Sequence, residues 1–285
     1  MSDGVRRGLV MEGGAMRGMF TCGILDVLMD NDITFDGAVG VSAGATFGCN
    51  IKSVQPGRAF RYNRKYCGDK RYHSISSLIK TGDIYNVDFC YNKLPYELDK
   101  WDIKTFEANP MEFYCVATDI ETGGAVYHNC RTGEKKDIVW IQASASMPLV
   151  SRPVEIDGKK YLDGGMSDSI PLKFMEHKGY NRILVIETQP VDYVKKPQKY
   201  MPLVKWTYKK TPGMIRCMAD RHLMYNEQKR YIREREETGE VFVLRPKEPL
   251  NIGAIEKNPG EIERVYLLGR KEAEDNLAAI KAFLK

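Results

Sequence analysis

Asp36-Gly37-Ala38-Val39-Gly40-Val41-Ser42-Ala43-Gly44-Ala45 is the stretch from which the rest of this chain is read. A short apolar run enters Gly40-Val41-Ser42-Ala43-Gly44, and small residues follow directly into a helical pattern. G-x-S-x-G spacing suits a serine on a turn too sharp for larger neighbours. Gly40 and Gly44 remove Cβ atoms where strand and helix would crowd each other. The Ser42 hydroxyl is thereby lifted to the positive N-terminal end of a helix. A serine between glycines also suits an ordinary loop, so the flanking sequence has to decide.

Upstream, Gly8–Glu12 reads as a buried strand and Gly13-Gly14-Ala15-Met16-Arg17-Gly18 as a glycine-rich turn. Phe20, Ile24, Val27 and Leu28 then recur at helical spacing as far as Asp30-Asn31-Asp32. With the strand Asp36–Val41 and a helix from Ala43 toward Ile51, this predicts right-handed βαβ units. The fold class is therefore α/β: three layers, α/β/α, with a mostly parallel central sheet. Downstream, Glu112–Asp119 predicts a strand with Ala125–His128 as hairpin partner, and Ile138–Met147 a small-residue helix stopped by Pro148. Val154–Leu162 reads as a hairpin turning at Asp157-Gly158, delivering Asp163-Gly164-Gly165 at a strand end. Arg182–Thr188 and Glu240–Pro246 are further strands, and Glu261–Leu284 a final amphipathic helix. Between Gln55 and Asn109, basic residues (Arg58, Arg61, Arg64, Lys65, Lys70, Arg71) alternate with Tyr62, Tyr66 and Tyr72. We read them as a solvated helix face with snorkelling cations, and Asp83–Tyr96 as a loop-rich insertion over one end of the sheet. Residues 8–190 form the expected core. Residues 191–285, basic, aromatic and Met-rich over Tyr193–Thr238, form a C-terminal elaboration on the same domain.

At 285 residues, 43% hydrophobic and 28% charged, the chain has the composition of an ordinary globular protein. A net charge of +5 is too mild and dispersed to argue for nucleic acid, though it permits peripheral contact with an anionic membrane surface. Seven scattered cysteines without a C-x-x-C pair read as free, buried thiols, which suits a reducing cytoplasm. Met1–Arg7 carries no apolar segment of the secretory kind, and no window has the roughly 18 apolar residues of a spanning helix.

Three features fall at predicted strand ends: the glycine turn after Glu12, Ser42, and Asp163. In an open parallel sheet such ends gather at one crevice. Acyl transfer needs a nucleophile, a base and N–H donors aimed at the developing oxyanion. None of the four histidines (73, 128, 177, 222) stands in a glycine-rich strand-end context. Asp163 is the candidate base, since burial raises a carboxyl above its ordinary pKa of about 3.9. Gly164 and Gly165 would let its backbone pass close to the serine. Gly13, Gly14 and Ala15 are candidate oxyanion donors, with Arg17 bracing the turn. A dinucleotide-binding oxidoreductase is the rival reading of the glycine loop. Ala15 interrupts that pattern, and Asp36 precedes the second strand where a ribose-binding acid should end it.

Gly-Gly-Ala-Met-Arg-Gly (13–18), Gly-Val-Ser-Ala-Gly (40–44) and Asp-Gly-Gly (163–165), in that order, resemble the three signature blocks of the patatin-like phospholipases, with residues 225–246 resembling a bacterial subgroup. The Gly23–Leu28 helix and Ala143–Pro148 also resemble family features, and the likeness covers roughly residues 8 to 190. The resemblance implies a serine lipid acyl hydrolase working through a Ser–Asp dyad, Ser42 as nucleophile and Asp163 as base, without histidine. Its substrates would be acyl esters of phospholipids and related glycerolipids. It implies no metal and no cofactor. Ala15 departs from the family's usual third glycine. A non-catalytic lipid-binding protein of the same fold is the alternative from another class.

Overall fold

Alternate residues of the central strands face opposite layers of helices. Leu9, Met11, Ala38, Phe113, Cys115, Leu184 and Ile186 point into one apolar core. Val10, Val39, Val41, Tyr114, Val116, Ile183 and Val185 point into the other. Strands buried on both faces read as continuous apolar runs, which is why 8–12, 36–41 and 182–186 stood out. Burial of each large aliphatic side chain stabilises by about 1.5–3 kcal/mol.

The computed structural model describes residues 4–285. Met1–Asp3, the start of the stretch read for a leader, lie outside the described residues. β1 (Arg7–Met11), α1 (Gly18–Asp30), β2 (Gly37–Val41) and α2 (Ala43–Lys52) form the opening βαβα unit. α3 (Arg58–Tyr66), α4 (Ile75–Thr81), a π-helix over Phe89–Leu98 and α5 (Ile103–Ala108) precede β3 (Glu112–Asp119) and β4 (Ala125–Asn129). Then come α6 (Lys135–Ala145), β5 (Val154–Ile156), β6 (Lys159–Asp163), α7 (Leu172–His177) and β7 (Arg182–Ile186). α8 (Met201–Thr207), α9 (Pro212–Glu237), β8 (Val241–Leu244) and α10 (Pro259–Phe283) complete the chain.

β3, β2, β1, β7 and β8 run parallel in that spatial order, and β4, β5 and β6 add antiparallel pairings beside β3. The three-layer, mostly parallel arrangement read from the sequence is the one observed. β2 pairs with β3 from Gly37↔Glu112 to Val41↔Val116. β4 covers the other edge of β3 over Tyr114–Thr118, so β6, paired at Ala117↔Asp163 and Thr118↔Leu162, lies on the edge that β2 has left. One edge thus passes from β2 to β6 between Val116 and Ala117.

The expectation for residues 55–109 needs correcting. Arg61, Arg64, Lys65, Lys70 and Arg71 do present the wet face expected, but Tyr62, Tyr66 and Tyr72 are buried core aromatics and Arg58 is only 4% exposed. The insertion over 83–96 is largely helical, and Leu94 and Pro95 are buried. All seven cysteines are free, as read, and five are buried. No described helix is long and apolar enough to cross a membrane.

α1 and α10 meet backbone to backbone. A Cβ on Gly23 would stand 2.1 Å from the Tyr266 carbonyl oxygen, and one on Gly269 would stand 1.9 Å from that of Phe20. Gly269→Ala therefore has to push the helices apart, and overpacking of this kind costs about 1–3 kcal/mol. The expected result is a lower urea midpoint at unchanged slope; an unaltered midpoint would show that the contact is slack.

Candidate active site

Ser42 leaves β2 with φ 54° and ψ −117°, a left-handed conformation that few non-glycine residues adopt. Holding it costs about 1–3 kcal/mol, so the surroundings must over-determine the turn. They do. The Ser42 N–H donates to Ser144 Oγ at 3.0 Å. Its carbonyl accepts from Ala45 N at 3.0 Å and Thr46 N at 2.9 Å, which starts α2. A Cβ on Gly40 would lie 2.3 Å from the Gly44 carbonyl, and one on Gly44 2.4 Å from that of Met11. Both glycines of the pentapeptide are required by contact.

The glycine-rich turn lies against this elbow. A Cβ on Gly13 would come 3.0 Å from Ser42 Cβ and 2.9 Å from the Val41 carbonyl. Among the described residues, the N–H groups of Gly13, Gly14 and Ala15 have no protein acceptor. The turn is braced from its far side: Arg17 Nε donates to Thr188 Oγ1 at 3.4 Å, and that hydroxyl donates to the Gly13 carbonyl at 3.3 Å. Gly18 lets α1 close on α2, since a Cβ there would meet Ala43 Cβ at 2.9 Å. Before the turn, buried Glu12 accepts from Thr188 N at 2.5 Å and from the Tyr225 hydroxyl of α9 at 2.6 Å. Ala15 sits at φ 47°, where glycine would be unstrained.

Asp163 ends β6 and is 4% exposed. Its N–H donates to the Ser146 carbonyl at 2.8 Å, its carbonyl accepts from Thr118 Oγ1 at 2.8 Å, and its Oδ1 accepts from Gly165 N at 2.8 Å. Burial pushes its carboxyl above the usual range, while the Ser42 hydroxyl, the Arg221 guanidinium and the Gly165 N–H pull the other way. A Cβ on Gly164 would lie 2.1 Å from the Val116 carbonyl, so the chain after Asp163 hugs β3. The structure thus brings the serine, the carboxylate and the glycine turn to one place. No imidazole joins them: His128 pairs with Asp137, His222 Nδ1 contacts the Ala219 carbonyl, and no described histidine bonds Ser42 or Asp163.

Ser42 and Ala15 face a cavity of about 110 Å³ walled by Phe47, Tyr62, Tyr72, Tyr85, Tyr91 and Trp101, with Ile138 and Ile141 of α6. The wall is apolar and the phenols are held neutral, burial pushing those of Tyr62, Tyr72, Tyr85 and Tyr91 well up. Arg58 reaches this wall with its guanidinium occupied by Asn50 Oδ1 and the Asp99 carbonyl. Sequence reading missed these residues. The signal was the dense aromatic spacing of 62–101, of which 62–72 reads as a solvated helix face and 83–96 as a loop-rich insertion. Ser144 lies in the Ala143–Pro148 stretch already singled out, whereas Arg221 and Thr188 were missed for lack of any motif.

His128, Cys130 and Asp137 have ligand atoms within 4.8 Å of one another, a convergence the sequence spacing did not suggest. Asp137 is already committed there: Oδ1 faces His128 Nε2 at 2.8 Å, and Oδ2 accepts from Thr132 N, Thr132 Oγ1 and Gly133 N. The cluster braces the turn before α6.

Ala15→Gly is expected to leave fold and activity intact and to raise the thermal midpoint by the equivalent of about 1 kcal/mol, the left-handed penalty of a residue with a Cβ. Gly13→Ala should instead displace the elbow and cut turnover at least about tenfold. If both variants behave alike in melting and ester hydrolysis, contact at Gly13 is not what sets the turn.

The family model for patatin-like phospholipase matches residues 9–175, and that of a domain of unknown function (DUF6363) matches residues 211–285. Uncharacterized protein YjjU of Escherichia coli is 27% identical over 276 residues, covering 93% of this chain and 75% of that protein. Lysophospholipase nte1 of Emericella nidulans is 29% identical over 203 residues, 65% of this chain, which spans 12% of that relative's length. Among solved structures, VipD from Legionella pneumophila aligns with a TM-score of 0.49 and 12% identity, over 97% of this chain and 67% of that one.

Proposed function

The chain belongs to the patatin-like phospholipase family, a family of lipid ester hydrolases, and we propose that within it Ser42 and Asp163 act as a two-residue catalytic dyad. The observation that carries this reading is the meeting of Ser42 and Asp163 where β2 and β6 succeed each other on β3, beside three N–H groups that have no acceptor among the described residues. Asp163 takes the Ser42 proton as Oγ attacks the acyl carbonyl carbon. The negative oxygen of the tetrahedral intermediate is held by the N–H groups of Gly13, Gly14 and Ala15. Collapse breaks the ester C–O bond, and Asp163 passes its proton to the departing alcohol. The acyl chain remains on Ser42 within the aromatic cavity. Water then attacks the acyl–serine ester, giving its proton to Asp163. The second collapse frees the fatty acid, and the proton returns to Ser42.

Asp163 must be ionised to act, and its folded pKa is raised. The acid limb of kcat/KM should therefore lie above the roughly pH 3.9 of an ordinary aspartate. The same shift has a stability sign. A carboxyl whose folded pKa exceeds its unfolded one stabilises the fold below the unfolded value, and that contribution is lost as pH rises through the folded pKa. Asp163→Asn should thus melt no lower than wild type at neutral pH, yet lose at least about 10³-fold in ester hydrolysis. Ser42→Ala should lose as much and also lose fluorophosphonate labelling. Equal labelling of wild type and Ser42→Ala would favour a non-catalytic lipid-binding protein. Retained activity in Asp163→Asn would exclude this base.

The lipid substrate implies an interface. Val194, Tyr200, Leu203 and Trp206 are 67%, 65%, 48% and 73% exposed, beside exposed Lys196, Lys199, Lys205, Lys209 and Lys210. Apolar side chains ringed by lysines suit peripheral docking on an anionic bilayer. Trp206→Ser is expected to reduce co-sedimentation with phosphatidylglycerol vesicles severalfold; unchanged sedimentation would remove α8 from the docking surface.

A further inference from the structure

The cavity beside Ser42 has a mouth and a floor. α2 lines it with Thr46, Phe47 and Cys49, and α6 with Ile138, Ile141 and Ala145. The two walls meet at the serine itself, where the Ser42 N–H donates to Ser144 Oγ at 3.0 Å. From that contact α2 leads seven residues on to Cys49, and α6 leads six residues back to Ile138. At a rise of about 1.5 Å per residue, each wall is about 10 Å long.

The far end is shut. Arg58 Nη1 donates to Asn50 Oδ1 at 2.9 Å, which sets the guanidinium against the end of α2. Its Nε and Nη2 donate to the Asp99 carbonyl at 3.0 and 2.6 Å. Two residues on, Trp101 lies over the turn that opens α6, its Cη2 3.4 Å from where a Cβ on Gly133 would stand. Arg58, Asp99 and Trp101 thus tie the far ends of the two walls together. Exposure follows the same axis: Cys49, Arg58, Trp101 and Ile138 are all buried. The half-buried lining residues belong to the serine's end (Ala15, Thr46, Ala145, Met147) or to the insertion over 83–96 (Tyr85, Cys90, Tyr91).

An acyl chain therefore enters beside Ser42 and is stopped. A fully extended chain advances roughly 1.2 Å per bond, so a wall of about 10 Å takes roughly eight bonds. The volume of about 110 Å³ is smaller than the roughly 150 Å³ of an apolar cavity that takes up benzene. Resting on the hydrolase reading above, we propose that this blind cavity measures the acyl chain, with Arg58 and Trp101 as its floor. Esters of medium-chain acids, about six to eight carbons long, are then preferred over esters of long-chain acids. Trp101 is the residue that sets the limit. Its indole N–H has no hydrogen-bond partner among the described residues, so a smaller apolar side chain in its place breaks no hydrogen bond.

The test measures kcat/KM for the 4-nitrophenyl esters of butanoic, hexanoic, octanoic and dodecanoic acids, all presented in the same nonionic-detergent micelles. Each methylene that enters an apolar site is worth about fourfold. In wild type kcat/KM should rise at least about tenfold from butanoyl to octanoyl and fall at least about fivefold from octanoyl to dodecanoyl. Trp101→Leu deepens the cavity and should raise the dodecanoyl-to-octanoyl ratio at least about fivefold. Ile138→Ala, which lengthens the same end from α6, should move the ratio the same way if Trp101→Leu does not fold. Thermal shift by the free acids reads the cavity without turnover: octanoate should raise the wild-type midpoint more than dodecanoate does, and the order should reverse in the deepened variant. A wild-type enzyme that takes dodecanoyl as well as octanoyl overturns the proposal and leaves the hydrolase standing. So does a ratio unmoved in both variants. If no ester is hydrolysed, the hydrolase reading falls, and the chain-length limit stands or falls on the order of the two acids alone.

Discussion

β3 offers a single hydrogen-bonding edge to two strands in succession, and the site depends on that handover. Up to Val116 the partner is β2; from Ala117 it is β6, running the opposite way. β2 must therefore leave the sheet at Ser42, and β6 must arrive at Asp163. The separation of Ser42 and the Asp163 carboxylate is set by strand register, and a slip of one residue would turn every side chain of the strand to the wrong face. A site fixed by register is held more tightly than one fixed by loops. Gly164, pressed on the Val116 carbonyl, marks the seam.

The seam concentrates unfavourable features that the flanking layers offset. Ser42 and Ala15 have left-handed backbones, Asp163 is a buried carboxyl, and three N–H groups lack acceptors among the described residues. Each departs from what a stable interior prefers. Around them the polar groups are paired: Ser144 and Ser146 hold the two chain ends, and Thr188 holds the glycine turn. The apolar cavity beside the serine suits an acyl chain for the reason that it suits no polar ligand, its wall being aromatic with phenols that stay neutral.

Much of this was legible in the sequence because the central strands are doubly buried and their ends carry glycine. Apolar runs at 8–12, 36–41 and 182–188 announced the parallel sheet, and glycines at 13, 40, 44 and 164 announced close backbone approaches. The residues between 55 and 109 were not legible. Interleaved arginines and tyrosines give the same pattern on a wet helix as on one whose tyrosines form a cavity wall, and only tertiary packing separates the two. Arg58 shows the difference: it is interior because Asn50 and, far along the chain, Asp99 take up its donors.

Tyr225 of α9 donates to Glu12, the residue that leads into the glycine turn. Lys229, one turn further along, pairs with buried Glu187 at the end of β7, where Arg245 after β8 also bonds. Removing α9 would take one partner from each of two interior carboxylates. The two stretches that match separate family models, 9–175 and 211–285, are thus joined through the hydrogen bond from Tyr225 to buried Glu12. A boundary drawn between those two matches therefore cuts across an interior contact that leads into the glycine turn.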